Sequence, residues 1–142
     1  MTHPLQAMME TIGAENRRTR SKYQLTLGKL ISHLENSNQY AKVECTNGIS
    51  PGEPHSYRGY YSDLAFELND PTEVDLKVKD FLAICRKILG TTFEGYKGGD
   101  FVMDTNTPLW LSGWGDADDI AMMDVVRKND DTVLIVIKSL ED

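Results

Sequence analysis

An apolar stripe of Val74, Val78, Phe81, Leu82, Cys85, Ile88 and Leu89, spaced three and four residues apart, predicts an amphipathic helix over residues 71–89. Thr72 followed by Asp75 reads as a short-acid version of the capping box, and Gly90 stands where a left-handed terminating residue belongs. A helix with one apolar face must bury it against another element. A second stripe, Leu27, Leu30, Ile31 and Leu34 behind a capping Thr26, predicts a partner helix ending near Asn36. The rest of the pattern is extended. Strands are expected at 40–46, at 60–68, at 101–104 running into 109–111, at 120–127 and at 132–137, with Asn129, Asp130 and Asp131 turning the last hairpin. Residues 47–54, rich in glycine and proline, read as loop. Two helices among four to six short strands, without strand–helix–strand alternation, give an α+β fold on a largely antiparallel sheet.

The first 22 residues differ from this body. Leu5, Met8, Met9 and Ile12 have helical spacing and Gly13 ends the run, which predicts a short N-terminal helical extension. Arg17, Arg18, Arg20 and Lys22 then form a basic stretch whose ordinary role is a solvated linker. So short a helix is marginal alone and is expected to dock on the body or on a neighbouring subunit. The expected organisation is an extension over 1–22 and a single α+β ligand-binding domain over 23–142. A chain of 142 residues with 40% hydrophobic content is long enough to bury a core without staples.

Charge and cysteine usage narrow the function classes. With 15 Lys+Arg against 22 Asp+Glu the formal net charge is −7, which argues against long nucleic acid or an anionic membrane as partner. Cys45 and Cys85 fit neither a CxxC nor a zinc pattern, and no apolar leader opens the chain, so reduced core thiols and a cytoplasmic location are expected. The run 133–137 is too short to cross a bilayer. The three histidines, His3, His33 and His55, show no metal-binding spacing, and no nucleophile-elbow or complete phosphate-loop motif occurs. Asp116, Asp118 and Asp119 begin like a calcium loop but lack its glycine and its closing glutamate, and so read as a solvated turn. No cofactor, metal or catalytic residue is expected.

Two segments spend unusual residues on irregular backbone. One is Pro54-His55-Ser56-Tyr57-Arg58-Gly59-Tyr60-Tyr61-Ser62-Asp63, the other Thr92-Phe93-Glu94-Gly95-Tyr96-Lys97-Gly98-Gly99-Asp100. Each joins a cation, aromatic rings and glycine. That mixture suits a nucleotide, because rings stack on a base, a cation pairs with phosphate and glycines admit oxygens close to backbone N–H groups. A plainer reading stands beside it. A tyrosine-rich stretch is also good strand sequence, Arg58 has Asp63 and Glu67 within reach as partners, and Gly98-Gly99 also makes an ordinary turn. His55 beside Ser56 offers a base and a nucleophile, though sequence neighbours rarely face each other productively. Trp110 and Trp114 read first as packing residues, and Asn106 first as a turn former and second as an amide able to read a base edge.

Residues 54–67 together with 92–99, and the helix start Thr26-Leu27-Gly28, resemble the first type of phage Thoeris anti-defence sponge. The resemblance spans roughly residues 25–115. It implies a homo-oligomer, dimer-based and extending to a hexamer, that sequesters a cyclic ADP-ribose isomer without cleaving it, with cyclic oligonucleotides as further ligands. It implies Arg58 as a phosphate or base contact beside Tyr57. Phe93 or Tyr96 becomes the adenine stacker, Asn106 the base-reading amide, and Lys97 with the Gly98 and Gly99 amides the secondary phosphate donors. The extension over 1–22 and the acidic stretch 116–119 depart from the pattern, and Arg127 is the nearest substitute if the family uses an arginine there. The alternatives are a phage inhibitor or structural protein acting by direct protein contact and, behind it, a small nucleotide hydrolase using His55 with Arg58.

Overall fold

Thr26 caps the first helix as its sequence requires: its backbone is extended and its hydroxyl accepts from the Lys29 N–H at 3.4 Å. The helix, α1 (Leu27–Glu35), buries Leu27, Leu30 and Leu34. In this computed structural model, residues 24–56, 63–94, 100–112 and 120–139 are described. They comprise α1, β1 (Lys42–Cys45), β2 (Ser50–Ser56), β3 (Leu64–Asn69), α2 (Val78–Ile88), β4 (Thr92–Glu94), β5 (Asp100–Val102), β6 (Leu109–Leu111), β7 (Ile120–Asn129) and β8 (Thr132–Ser139). The fold is α+β. The expected extension over 1–22 lies outside the described residues.

Six strands form one sheet in the order β1-β8-β7-β6-β3-β2, and β4 with β5 forms a separate hairpin. The sheet is mixed: β2–β3, β6–β7 and β7–β8 are antiparallel, whereas β1–β8 and β3–β6 are parallel. The edge strands β1 and β2 follow one another in sequence. Laid flat, six strands would hold those edges about 24 Å apart. The chain from Cys45 to Ser50 spans at most about 18 Å. The sheet therefore rolls until its edges meet, where the Cys45 N–H donates to the Ile49 carbonyl at 2.7 Å and the Ser50 hydroxyl to the Val43 carbonyl at 3.3 Å.

The rolled sheet wraps α2. This helix touches β1 at one edge, while its Phe81 meets Phe66 of β3 edge-to-face, ring centroids 5.1 Å apart. Leu64, Phe66, Leu109, Leu111, Met122, Val133 and Ile135 face inward onto the apolar stripes of both helices, which Arg86 and Glu35 also join by an exposed ion pair at 3.1 Å. Strand alternation sends Ala65, Trp110 and Ala121 to the outer face, where they form a second small cluster with Met123. Leu25 is wedged between β6 and β7: its N–H donates to Met122, its carbonyl accepts from Leu109, and the two strands pair directly at Trp110 and Ala121.

Several boundaries differ from expectation. The second helix begins at Val78 rather than at 71, with Lys77 as an N-cap whose side chain makes no capping bond. Asp70 Oδ1 instead accepts from both the N–H and the hydroxyl of Thr72, closing a turn and holding the Asp70 carboxyl below the usual range. The residues that follow are held extended against the chain entering β1, with the Val43 N–H on Leu76 and the Val78 N–H on Ala41. Val74 is consequently 37% exposed. Residues 50–54, expected as loop, belong to β2. Pro51 and Pro54 are tolerated because β2 is an edge strand whose register shifts between them. Residues 92–94, expected within an irregular segment, form β4. Gly90 does take the left-handed conformation, at φ +82°.

Gly28 is required by a close approach. Its N–H donates to the Thr105 carbonyl at 3.0 Å, and a Cβ added there would stand 2.9 Å from both that oxygen and the Thr105 Cβ. Gly28→Ala should therefore destabilise the fold by about 1–3 kcal/mol in chemical denaturation, although alanine gains about 1 kcal/mol in an unencumbered helix. Both thiols are buried in the core, and burial pushes each up to about 12. Cys45 and Cys85 should stay silent to a thiol reagent at pH 8 until the protein unfolds. An unfolded thiol loses its proton near pH 9, which the native one keeps to about 12. The thiols' contribution to stability is thus complete below pH 9 and declines as pH rises above it.

Candidate functional site

The described residues near the first segment form a buried polar cluster on the outer face of the β2–β3–β6 half of the sheet. His55, Asp63 and Trp110 retain 7%, 4% and 1% of their surface, and Ser112 is fully buried. Their arrangement follows from strand register. His55 lies opposite Ala65 across the antiparallel β2–β3 pair, and Ala65 lies opposite Trp110 across the parallel β3–β6 pair. The small alanine between them leaves room above β3. His55 reaches over that strand to the carbonyl of Ser112, with Nε2 at 2.8 Å. A carbonyl can only accept, so Nε2 carries a proton and donates. In the other direction the Trp110 indole N–H donates to Asp63 Oδ2 at 2.9 Å. A bond to a carboxylate in so dry a place is stronger than its surface equivalent.

Of the ligand-binding residues expected from the sequence, Phe93 and Asn106 are described. Phe93 lies on β4, pairs with Phe101 of β5 and is half-buried against the main core. Its ring therefore has a packing role. Asn106 sits at the exposed tip of the turn 104–107. Its backbone N–H donates to Asp104 Oδ1 at 2.8 Å, and the Asp104 N–H donates to the Thr107 hydroxyl at 2.9 Å. This turn leads into Pro108, whose carbonyl accepts the Leu64 N–H, so Asn106 lies at the end of the sheet where Asp63 leads into β3. Tyr57, Arg58, Tyr96, Lys97, Gly98 and Gly99 lie outside the described residues, as do Trp114 and the acidic stretch 116–119. The chain nevertheless fixes what carries them. Residues 57–62 connect β2 to β3, residues 95–99 connect β4 to β5, and β2 contacts β4.

Trp110 is a packing residue, as its sequence context suggests, and among the described residues it is the largest fully buried side chain. Its bond to Asp63 was not legible. A Trp on one strand and an Asp 47 positions away carry no spacing signal, and their meeting depends on the parallel β3–β6 register. The same holds for His55 and Ser112. His55, the neighbour of Ser56 in sequence, bonds through Nε2 to the Ser112 carbonyl just beyond β6. Among the described residues, no three His, Cys, Asp or Glu side chains come together as a metal site, and no helix is long and apolar enough to cross a membrane. His33, on the exposed side of α1, lies 3.7 Å from Asp124. Arg127 pairs with Asp130 at the β7–β8 hairpin, beside a cleft of about 310 Å³ between that hairpin and the end of α1. This cleft lies on the β7–β8 half of the sheet, away from β2, β3 and β4.

No protein-family model, curated protein or solved structure matches the chain.

Asn106 offers a clean separation of roles. Its structural hydrogen bond is made by the backbone, which alanine keeps, so Asn106→Ala should shift stability by less than about 0.5 kcal/mol. Asp104→Ala, which removes the acceptor of the turn, should cost about 1 kcal/mol. Parallel urea titrations of the two variants distinguish them.

Proposed function

We propose that this protein is a non-catalytic sponge for a small cyclic nucleotide, a cyclic ADP-ribose isomer or a cyclic oligonucleotide, and that it acts as a homo-oligomer in phage anti-defence. The observation that carries the reading is the way the chain mounts its two aromatic–cation–glycine segments. One joins β2 to β3, the other joins β4 to β5, and β2 and β4 are in contact. Segments well separated in sequence thus spring from neighbouring elements, as the walls of one pocket must. The resemblance of residues 54–67 and 92–99 to the sponge family supports the same ligand class.

In this reading Arg58 and Lys97 supply the positive charge that a chain of net charge −7 lacks overall. Tyr57 and Tyr96 supply rings for the base, and the Gly98 and Gly99 amides supply phosphate donors. Phe93, half-buried on β4, backs the stacking ring, and Asn106 offers its amide at the exposed tip of the 104–107 turn. The retained ligand leaves intact. Capture depends on a site ordered before binding, because a preorganised pocket loses less freedom when it fills.

The test is a melting series of the purified protein with cyclic ADP-ribose isomers and cyclic di- and trinucleotides. A ligand at a hundredfold over its dissociation constant adds about 2.7 kcal/mol of apparent stability. The expected result is a clear upward shift with one ligand, recovered unaltered after heat denaturation. Arg58→Ala should abolish the shift while leaving the unliganded melting point within about 2 °C of wild type. Recovery of an altered nucleotide would instead identify a hydrolase. A flat panel, with nucleotide-independent capture of a host protein, would identify an inhibitor acting by direct contact.

A further inference from the structure

Leu25 interrupts the β6–β7 pair at a single hydrogen bond. The antiparallel register, with Trp110 opposite Ala121, puts Leu109 opposite Met122. On the other side of β6 the Pro108 carbonyl accepts from Leu64 and the Ser112 N–H donates to Phe66. Backbone groups of alternate residues turn to opposite sides of a strand, so Leu109 turns its own to β7. In a continuous ladder its N–H would donate to the Met122 carbonyl. Instead the Leu109 N–H donates to the Leu25 carbonyl at 3.1 Å, and the Leu25 N–H donates to the Met122 carbonyl at 2.8 Å. Leu25 thus stands inside a bond that its two neighbours can make without it. Gln24 repeats the insertion with its side chain, whose Nε2 donates to the Leu109 carbonyl at 2.6 Å. Gln24 is buried, and among the described residues its Oε1 has no hydrogen-bond partner. An acceptor buried without a donor weakens the hold of the segment that carries it.

We propose that Gln24 and Leu25 form a removable strap, and that β6 and β7 have two bonded arrangements. In the one observed, the strap is in and Leu25 joins Leu109 to Met122. In the other the strap is out, and the Leu109 N–H bonds directly to the Met122 carbonyl. Release exposes the Leu25 side chain, which is costly, but it also returns the Gln24 amide to water and restores the interrupted ladder. The next residues stay anchored, because the Leu27 N–H donates to the Thr107 carbonyl at 2.9 Å and the Gly28 N–H to the Thr105 carbonyl at 3.0 Å. Thr26 is therefore the hinge, and the strap leaves without unfolding α1 or the sheet. The device is a property of the fold and is independent of any ligand.

Hydrogen exchange of the full chain, followed amide by amide by NMR, tests the strap on the wild-type protein. When the strap leaves and β6 closes on β7, the Leu25 N–H meets water while the Leu109 N–H stays bonded. The expected result is a protection factor at Leu25 about tenfold or more below that at Leu109. In rising urea well below the unfolding transition, exchange at Leu25 should stay nearly flat, because strap release exposes little surface. Exchange at Leu109 should rise steeply, because it needs the sheet to unfold. Equal protection at the two amides, with the same dependence on urea, would overturn the proposal. If both were flat, Leu25 would be fraying and leaving Leu109 without a partner. If both were steep, residues 24 and 25 would be fixed parts of the sheet that leave only when it unfolds.

Discussion

The short turn between β1 and β2 constrains everything else in this fold. Five residues of chain cannot bridge the width of a flat six-stranded sheet. The sheet must therefore curl until its first and last strands touch, as the bonds from Cys45 to Ile49 and from Ser50 to Val43 record. Curling creates an inside, and α2 fills it, in contact with β1 at one edge and with Phe66 of β3 near the other. It also protects the edges. β1 is lined by the extended residues before α2, and β2 carries Pro51 and Pro54, which cannot extend a hydrogen-bond ladder to a neighbour.

A sheet rolled around helices spends its inner face on packing and leaves its outer face for other uses. On the β2–β3–β6 half that outer face is neither polar and solvated nor simply apolar. It holds a buried His, Asp, Trp and Ser around two alanines, with bonds that run across strands rather than along them. Such groups are costly to bury unless satisfied, and each is bonded. The cluster lies where two connections leave the sheet, 57–62 from β2 and 113–119 from β6.

Local chemistry was legible in the sequence wherever one residue's neighbours decided the outcome. Thr26 caps α1, Gly90 turns the end of α2, the two apolar stripes face the core, both cysteines are buried, and 129–131 close the last hairpin. The start of α2 was misread because Asp70 competes for Thr72, and because hydrogen bonds with the chain at Ala41 and Val43 hold residues 76 and 77 extended. β2 was misread because proline argues against a strand unless the strand lies at an edge, and edges exist only in the assembled sheet.

What the sequence determined by itself was the class of fold, the helices α1 and α2, its buried core thiols and the two segments rich in aromatics, cations and glycine. What only the tertiary structure decided was the company those segments keep. The parallel pairing of β3 with β6 brings Trp110 to Asp63 and lets His55 reach Ser112, contacts between residues 47 and 57 positions apart. Periodicity reports which face a residue shares with its near neighbours along one element. It is silent on which strands lie side by side, because that is settled by the collective burial of both helices and by the one short turn that rolls the sheet.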